Sequence, residues 1–93
     1  RNTISDISAL ASLSNLTELY LVENNISDIS PLASLAKLKW LHLAANSISD
    51  ISALASLSTL TWLYLTGNAL NSAAYAIYIP ALEGKGINLN YDK

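Results

Sequence analysis

The stretch from Leu16 to Lys37, LTELYLVENNISDISPLASLAK, decides the fold of this chain, because the next 22 residues repeat its pattern. Leu38 to Thr59 reads LKWLHLAANSISDISALASLST, with leucine, asparagine and isoleucine at the same offsets. A fixed period of this length is typical of stacked repeat proteins, in which each unit buries its apolar edge against its neighbours. The sequence therefore predicts a solenoid of stacked coils.

The composition is that of a folded chain with little charge. Of 93 residues, 52% are hydrophobic and 13% are charged, and the formal net charge is −2. This length predicts one domain over residues 1–93, and the hydrophobic content excludes a disordered chain. The lack of a basic cluster argues against binding of nucleic acid. Because the chain has no cysteine, disulfides, thiolate catalysis and cysteine-ligated metals are excluded.

The repeats divide the chain into a partial unit, two full units and a closing unit. Residues 1–15 match only the second half of the repeat, residues 16–37 and 38–59 are full repeats, and residues 60–93 combine the last repeat with a cap. The chain starts within a repeat and without a leader, so we expect it to be a piece of a longer protein. The block from Ile4 to Ser14 is identical to that from Ile48 to Ser58, which indicates either recent duplication or deliberate assembly.

Each full unit opens with a predicted strand. Residues two apart share a face of an extended chain, so Leu41 and Leu43 are expected to point into the stack and Trp40, His42 and Ala44 away from it. Adjacent strands of a parallel sheet lie about 4.8 Å apart, so equivalent outward residues should form contiguous columns. Four columns follow: Glu18, Trp40 and Trp62; Tyr20, His42 and Tyr64; Val22, Ala44 and Thr66; Glu23, Ala45 and Gly67.

An asparagine follows each strand at a fixed position, at Asn24, Asn46 and Asn68. A turning backbone leaves N–H and C=O groups without ladder partners, and an amide side chain can donate and accept at once. We therefore predict that the three asparagines form a buried ladder with a structural role.

The second half of each unit repeats its apolar residues every third position. In the unit that begins at Leu16 these residues are Ile26, Ile29, Leu32 and Leu35. This spacing favours a 3₁₀ turn, in which side chains three apart are eclipsed, and a proline such as Pro31 suits its first positions.

An acidic residue precedes each of these turns, at Asp6, Asp28 and Asp50. Stacked carboxylates are a candidate calcium site, but the glycine-rich pattern of calcium-binding repeats is missing. We interpret them as caps of free backbone N–H groups, and no metal site is predicted.

The closing unit departs from the pattern after Asn68. Asn71 or Ser72 is expected to cap a short helix that ends near Tyr78. Pro80 should then open a second short turn that ends at Gly84 in a left-handed conformation. The whole apolar segment, residues 73–82, is far shorter than the roughly 20 residues of a membrane-spanning helix, so no membrane insertion is predicted.

A fourth strand is predicted near the C-terminus. Ile87 and Leu89 repeat the inward pattern of Leu63 and Leu65 at a distance of 24 residues, which turns Asn88 outward. An atypical terminal unit with polar residues is what a stacked protein needs to end its core.

The frame LxxLxLxxNxISDISPLxxL resembles the 22-residue class of leucine-rich repeat. It is similar to the internalins of bacterial surfaces and to a eukaryotic phosphatase regulator with the same repeat class. The tail LNSAAYAIYIPALEGKGINLNYD resembles the closing unit of bacterial secreted or surface proteins with such repeats. The resemblance implies an α/β leucine-rich repeat solenoid. It would be a short right-handed arc with a parallel sheet on the concave side, 3₁₀ turns on the convex side and a short helix in the C-terminal cap. It also implies protein partners and a secreted or cell-surface location, although the N-terminal cap domain usual in internalins and any anchor are missing from the chain.

The outward positions of the predicted sheet carry both tryptophans, two tyrosines and the single histidine of the chain. Leucines already fill the inward positions, and Trp and Tyr are the residues that most often anchor interfaces. We therefore predict a protein-binding surface on the concave face. Its expected residues are Glu18, Tyr20, Glu23, Trp40, His42, Trp62, Tyr64, Thr66 and Asn88.

Three alternatives remain open for this face and its edge. The aromatic rings would also shield the sheet from water, and planar rings suit the faces of sugars, which makes a carbohydrate-binding module the second candidate. The strand that begins at Leu16 is expected to be an open edge, and open edges invite pairing with another chain, so a homo-oligomer is the third. No enzyme and no cofactor are predicted, because an open sheet with one histidine, His42, offers neither a pocket nor a positioned partner for acid–base chemistry.

Overall fold

Four short strands form one parallel sheet in sequence order. In this computed structural model, which describes residues 3–92, the strands are β1 (Glu18–Tyr20), β2 (Trp40–His42), β3 (Trp62–Tyr64) and β4 (Asn88–Asn90). Each strand pairs with the next one along the chain. This arrangement confirms the predicted parallel sheet of a repeat solenoid. Arg1, Asn2 and Lys93, which the predicted domain included, lie outside the described residues.

Single 3₁₀ turns return the chain from one strand to the next, as the three-residue spacing predicts. They span Ser8–Ser12, Ser30–Ser34 and Ser52–Ser56. Serine hydroxyls link successive turns, since Oγ of Ser34 donates to the carbonyl of Ala11 at 2.9 Å and Oγ of Ser56 donates to that of Ala33 at 3.3 Å.

An aspartate caps each 3₁₀ turn from two residues upstream. Oδ1 of Asp28 accepts a hydrogen bond from the backbone N–H of Ser30 at 3.0 Å, and Asp6 and Asp50 do the same for Ser8 and Ser52 at 2.9 Å. The backbone bond, and secondarily the serine side chain, lowers the pKa of each carboxyl below the ordinary aspartate value. The capping interpretation of these residues is confirmed.

The leucines and isoleucines of the repeat fill a continuous core between the sheet and the turns. In the middle coils the burial is complete, with 0% exposure at Leu32, Leu43 and Leu54. At the β1 end of the stack the cover is thinner, since Ile4 and Leu13 are 44% and 46% exposed. No helix among residues 3–92 combines the length and the apolar character that crossing a membrane requires.

The closing helix differs from the prediction in two respects. Asn71 caps it as expected, because its Oδ1 accepts from the N–H of Ala74 at 2.9 Å, but the helical conformation does not stop near Tyr78. A π-helical turn over Ala74–Tyr78 runs directly into an α-helical turn, here α1 (Ile79–Glu83). The proline ring conflicts with the carbonyl four residues earlier in a regular α-helix, and the widened turn lies immediately before Pro80.

The left-handed residue after α1 is Gly86 and not Gly84. Gly84 keeps a helical φ of −65° and donates its N–H to the carbonyl of Pro80 at 3.0 Å, whereas Gly86 has a φ of +79°. The helical geometry therefore extends to Gly84, and the reversal of the chain falls two residues later than predicted.

The fourth strand exists, but its register differs by two residues from the one predicted. Leu63 pairs with Leu89, and Trp62 pairs with Asn88, so the offset of the closing unit is 26 residues and not 24. A shift of two keeps every side chain on its face of the sheet. Asn88 therefore still points outward, but it continues the column of Trp62.

Candidate functional site

The outward residues of the four strands form what we call the sheet face. The strand register aligns Glu18, Trp40, Trp62 and Asn88 in one row and Tyr20, His42, Tyr64 and Asn90 in the next. Leu41 and Leu63, between these rows, are 2% and 0% exposed. The alternation of the strand thus separates the aromatic rings from the core, because every second residue is committed to packing.

Five rings of the sheet face surround a shallow hollow of about 230 Å³, which we call the aromatic hollow. The Trp40 and Trp62 ring centroids lie 6.4 Å apart at an interplanar angle of 70°, and those of His42 and Tyr64 lie 4.7 Å apart at 67°. Such edge-to-face contacts are favourable for aromatic pairs, so the rings hold one another in place. The hollow is lined by Tyr20, Trp40, Leu41, His42, Trp62 and Tyr64.

The rings remain accessible to a ligand despite these contacts. Tyr20, Trp40 and Trp62 are 55%, 42% and 41% exposed, and His42 and Tyr64 are half-buried. In residues 3–92, neither the indole N–H groups of the two tryptophans nor the hydroxyls of Tyr20 and Tyr64 have a hydrogen-bond partner. The face therefore offers both apolar surface and free donors.

His42 lies at the centre of the aromatic rows. Its Nδ1 faces the backbone N–H of Ala44 at 3.5 Å, a long contact in which the ring nitrogen accepts. The ring also meets that of Tyr20 at 6.2 Å, so both neighbouring strands contact it.

The structure does not bring Glu23 and Thr66 into the aromatic hollow. Both residues lie beyond the three-residue strands, although backbone hydrogen bonds between coils continue there, from the N–H of Glu23 to the carbonyl of Ala44. In the third predicted column Val22 is exposed and Thr66 is half-buried, whereas Ala44 is only 8% exposed and offers little surface to a partner.

The fourth predicted column belongs to the turn and not to the strands. Glu23, Ala45 and Gly67 have φ values of +60°, +59° and +75°. They border a separate polar hollow of about 270 Å³, whose other lining residues are Asn24, Asn25, Asn46 and Ser47. Glu18 and Asn88 lie on the sheet face but outside the lining of the aromatic hollow.

Asn90 belongs to the sheet face and is missing from the set expected from the sequence. It pairs with Tyr64. The signal was present, because Asn90 follows Asn88 by two residues and the same alternation turns both outward.

The asparagines behind the strands hold the coils together by hydrogen bonds. Asn46 donates through Nδ2 to the carbonyls of Leu21 and Leu43 at 2.9 and 3.0 Å, and its Oδ1 accepts from the N–H of Ile26 at 3.1 Å. Asn24 and Asn68 make the equivalent contacts within their own coils and to the N–H groups of Ile4 and Ile48. Asn24 and Asn46 are buried, at 7% and 9% exposure, and Asn68 is half-buried.

Contacts from the closing unit fix the last turn against the repeats. Oδ2 of Asp92 accepts from the N–H of Gly67 at 2.8 Å, and the hydroxyl of Tyr75 donates to the carbonyl of Asp92 at 2.8 Å. Nζ of Lys85 donates to the carbonyl of Ala55 at 3.0 Å. These bonds anchor β4, and with it the polar end of the sheet face.

The side chains in the described part of the chain offer no group of three His, Cys, Asp or Glu residues that could hold a metal ion.

Comparison with known proteins places this geometry in a family. The leucine-rich repeat family model matches residues 14–70, and a comparison with curated proteins finds no match. Among solved structures, an internalin (InlF) from Listeria monocytogenes superposes on 100% of the chain with a TM-score of 0.85 and 37% sequence identity. Internalin C2 from the same species superposes on 98% of the chain with a TM-score of 0.79 and 34% identity. The chain spans only 28% and 41% of the lengths of these two proteins. Leucine-rich repeat folds of this kind support protein-interaction scaffolds in general, and this chain belongs to the leucine-rich repeat family, in its internalin-like class.

Proposed function

We propose that the chain is a protein-interaction scaffold that docks its partner on the sheet face. The observation that carries the proposal is the cluster of five rings around the aromatic hollow, in which Trp40 and Trp62 stay about two-fifths exposed. Buried Leu41 and Leu63 already supply the core at these strands, so folding does not require the tryptophans. Exposing contiguous aromatic surface to water is unfavourable in free energy, and such surface is characteristic of binding sites.

The backbone under the rings supports this function because it is held rigidly. The sheet face stands on strands paired on a fixed register and backed by the asparagine contacts. A rigid surface loses little conformational freedom on binding, which leaves more of the contact energy for affinity.

The size of the face limits how it can bind. A standard interface buries about 800 Å² on each partner, roughly a sixth of the 5015 Å² surface of the chain. Twelve strand residues do not offer that area, so a tight partner also contacts the rims, where Glu23 and Thr66 lie.

A binding experiment on purified domains tests the proposal. The chain is screened against an array of extracellular protein domains, and any binder is measured with the wild type, Trp40→Ala and Trp62→Ala. Each truncation is expected to weaken binding about 30-fold or more, the loss of roughly 2 kcal/mol that marks an interface anchor. Both variants should keep the wild-type circular dichroism spectrum, because the two rings lie outside the core.

Ile77→Ala is the matched control, since Ile77 is a 58% exposed apolar side chain on the closing helix, away from the sheet face. It should bind like the wild type. If the tryptophan variants bind as tightly as this control, the sheet face is not the docking surface.

Carbohydrate is the second candidate, and one observation favours it. Within residues 3–92, the indole N–H and phenol groups of the rings have no hydrogen-bond partner. Such rings can both stack on a sugar and form hydrogen bonds with it. A glycan array separates the two: binding of a defined glycan that is lost in Trp62→Ala would replace protein by carbohydrate as the ligand.

The similarity to internalins extends the proposal to location. We propose that the parent protein acts on the bacterial surface or after secretion. We further propose that the chain acts without cofactor or catalysis, through contact alone.

A further inference from the structure

We propose that the aromatic hollow receives one cationic side chain, a lysine or an arginine, from a protein partner. This inference rests on the proposed function, because it names the chemistry of the group that the sheet face would hold.

The volume of the hollow points to a single side chain. Sites for drug-sized ligands measure about 300–1,000 Å³, whereas the aromatic hollow measures about 230 Å³. An oligosaccharide or a helix would extend well beyond it. A volume of this size suits one long side chain.

The rings favour a cation as the end of that side chain. The face of an aromatic ring carries partial negative charge, and Lys or Arg is attracted when it lies within about 6 Å of the ring centroid. The centroids of Trp40 and Trp62 are 6.4 Å apart, and that of Tyr64 is 6.2 Å from Trp62. Because the indoles of Trp40 and Trp62 meet edge to face, no group fits between them. A group seated in the hollow beside the pair can still lie within about 6 Å of both centroids, and tryptophan is the strongest partner for a cation.

The charge of the sheet face points in the same direction. Of its eight residues, Glu18 alone carries a formal charge at neutral pH when His42 is neutral. Glu18 is the register partner of Trp40 on the neighbouring strand and lies on the same strand as Tyr20. A neutral apolar side chain would gain from the rings only, whereas a cation gains from the rings and from Glu18.

Blocked pentapeptides isolate the cation from the rest of a partner. The probe is Gly-Gly-Arg-Gly-Gly with both ends blocked, and the comparison peptides carry citrulline or norleucine in place of the arginine. Citrulline keeps the shape of arginine without its charge, and norleucine keeps only an apolar stem. Binding is followed by NMR through the indole N–H signals of Trp40 and Trp62, which report on the hollow directly.

We expect the arginine peptide to bind at least five-fold more tightly than the citrulline and norleucine peptides, within the range of about 2- to 30-fold that cation–aromatic contacts provide. Equal affinity for arginine and citrulline would overturn the proposal. So would the absence of any shift of the two indole signals with the arginine peptide.

Two charge variants with unchanged shape test the role of Glu18. Glu18→Gln is expected to weaken arginine binding three- to five-fold and to leave norleucine binding unchanged. Glu83→Gln removes an exposed carboxylate from α1 in the closing unit, and it should have no effect on either peptide. Equal effects of the two variants would contradict the assignment of Glu18.

A basic residue adjacent to Trp40 in the sequence provides one more test of the proposal. Lys39 directly precedes Trp40, and its positive charge opposes a second cation nearby. Lys39→Gln should therefore bind the arginine peptide at least as tightly as the wild type, and weaker binding would count against the proposal.

Failure of this inference differs from failure of the proposed function. If norleucine binds best and shifts both indole signals, the hollow is an apolar docking site and the cation is wrong, while the sheet face remains the binding surface. If Trp40→Ala and Trp62→Ala leave partner binding unchanged, the proposed function itself is wrong.

Discussion

Asn46 forms hydrogen bonds with several backbone groups in the centre of the stack. One amide group satisfies carbonyls of two coils and the N–H of Ile26. The carbonyl of Leu21 also accepts from Asn24, at 2.9 Å, so successive amides share acceptors. Shared acceptors make each asparagine part of its neighbour's turn, which explains why the same residue recurs at each turn.

We predict that Asn46→Ala lowers the free energy of unfolding by about 3–5 kcal/mol, because each buried polar group left unpaired costs about 1–3 kcal/mol. That loss is a large part of the total stability of a domain this small. Urea denaturation followed by circular dichroism measures it. Asn24→Ala is the matched control: Asn24 is as buried as Asn46 but bonds carbonyls of its own coil only, so its loss should be smaller. Equal losses would show that the bond of Asn46 to the preceding coil does not add to stability.

The left-handed turn after each strand is occupied by a different residue in each coil. Gly67 suits its φ of +75°, and a Cβ there would lie 3.1 Å from the backbone N and Cα of Ala45. Ala45 itself has a φ of +59°, a conformation that costs a residue with a side chain about 1–2 kcal/mol.

Exchanging the two residue types should have opposite effects. Gly67→Ala is expected to lower the free energy of unfolding by about 1–2 kcal/mol. Ala45→Gly should raise it by up to about 1 kcal/mol, because relief of the strained φ exceeds the entropy cost of glycine. Thermal unfolding of both variants gives the signs, and changes in the same direction would refute the strain argument.

At the scale of the element, the 3₁₀ turns depend on their aspartate caps, which gives stability a defined dependence on pH. The folded-state pKa of each capping carboxyl lies below its unfolded value. The contribution is therefore fully present above the unfolded value, about 3.9, and is lost as the pH falls through the lower folded-state pKa.

We predict that replacing Asp6, Asp28 and Asp50 together by asparagine makes stability less dependent on pH below about pH 4. Asparagine keeps an oxygen to accept the serine N–H but does not titrate. Urea midpoints at pH 7 and pH 3 measure the difference. An equally steep fall in the wild type and the triple variant would mean that the acid response comes from other carboxylates.

The elements that follow the 22-residue period were predictable, whereas those that leave it were not. Strands, 3₁₀ turns and aspartate caps repeat, so the sequence shows the pattern of each of them three times. Alternation places Leu89 inward, but it does not give the number of residues between β3 and β4. The predicted register of β4 was therefore wrong by two residues. The π-turn before Pro80 arises from a clash within the helix, which no periodic pattern signals.

The same distinction holds for the candidate site. Columns on the strands followed from alternation, which put Trp40 beside Trp62 and His42 beside Tyr64. The fourth column belongs to a turn, because Glu23, Ala45 and Gly67 have positive φ values that alternation does not signal. In the third column Ala44 is a small side chain with little exposed surface. The angles between the rings depend on contacts across strands and were beyond any pattern.

At the scale of the whole molecule, the two ends of the stack are unlike. The closing helix and β4 finish one end, while at the other β1 is the edge of the described sheet and Ile4 and Leu13 are exposed. The outer edge of β1, which has no strand beside it in the described sheet, lies near this apolar surface and would attract a further chain, either a preceding coil or a second copy.

We predict that the chain of residues 1–93 associates through this end as its concentration rises. Light scattering across a range of concentrations should show growth in mass, and Leu13→Lys should abolish it by placing a charge on the contact. Ile77→Lys, a change of the same kind on the closing helix, should leave association unchanged. A wild-type chain that stays monomeric at millimolar concentration would refute the predicted association.

Most hydrogen bonds between coils come from the backbone, from asparagines and from small hydroxyl side chains, while the rings of the sheet face contact one another across coils without such bonds. On the proposed function, recognition and the hydrogen bonds between coils therefore depend on different residues of each repeat. Substitutions on the face would leave the core and these hydrogen bonds in place. Such a protein could change its target by point mutation, or by exchange of whole 22-residue units, while every intermediate variant remains folded.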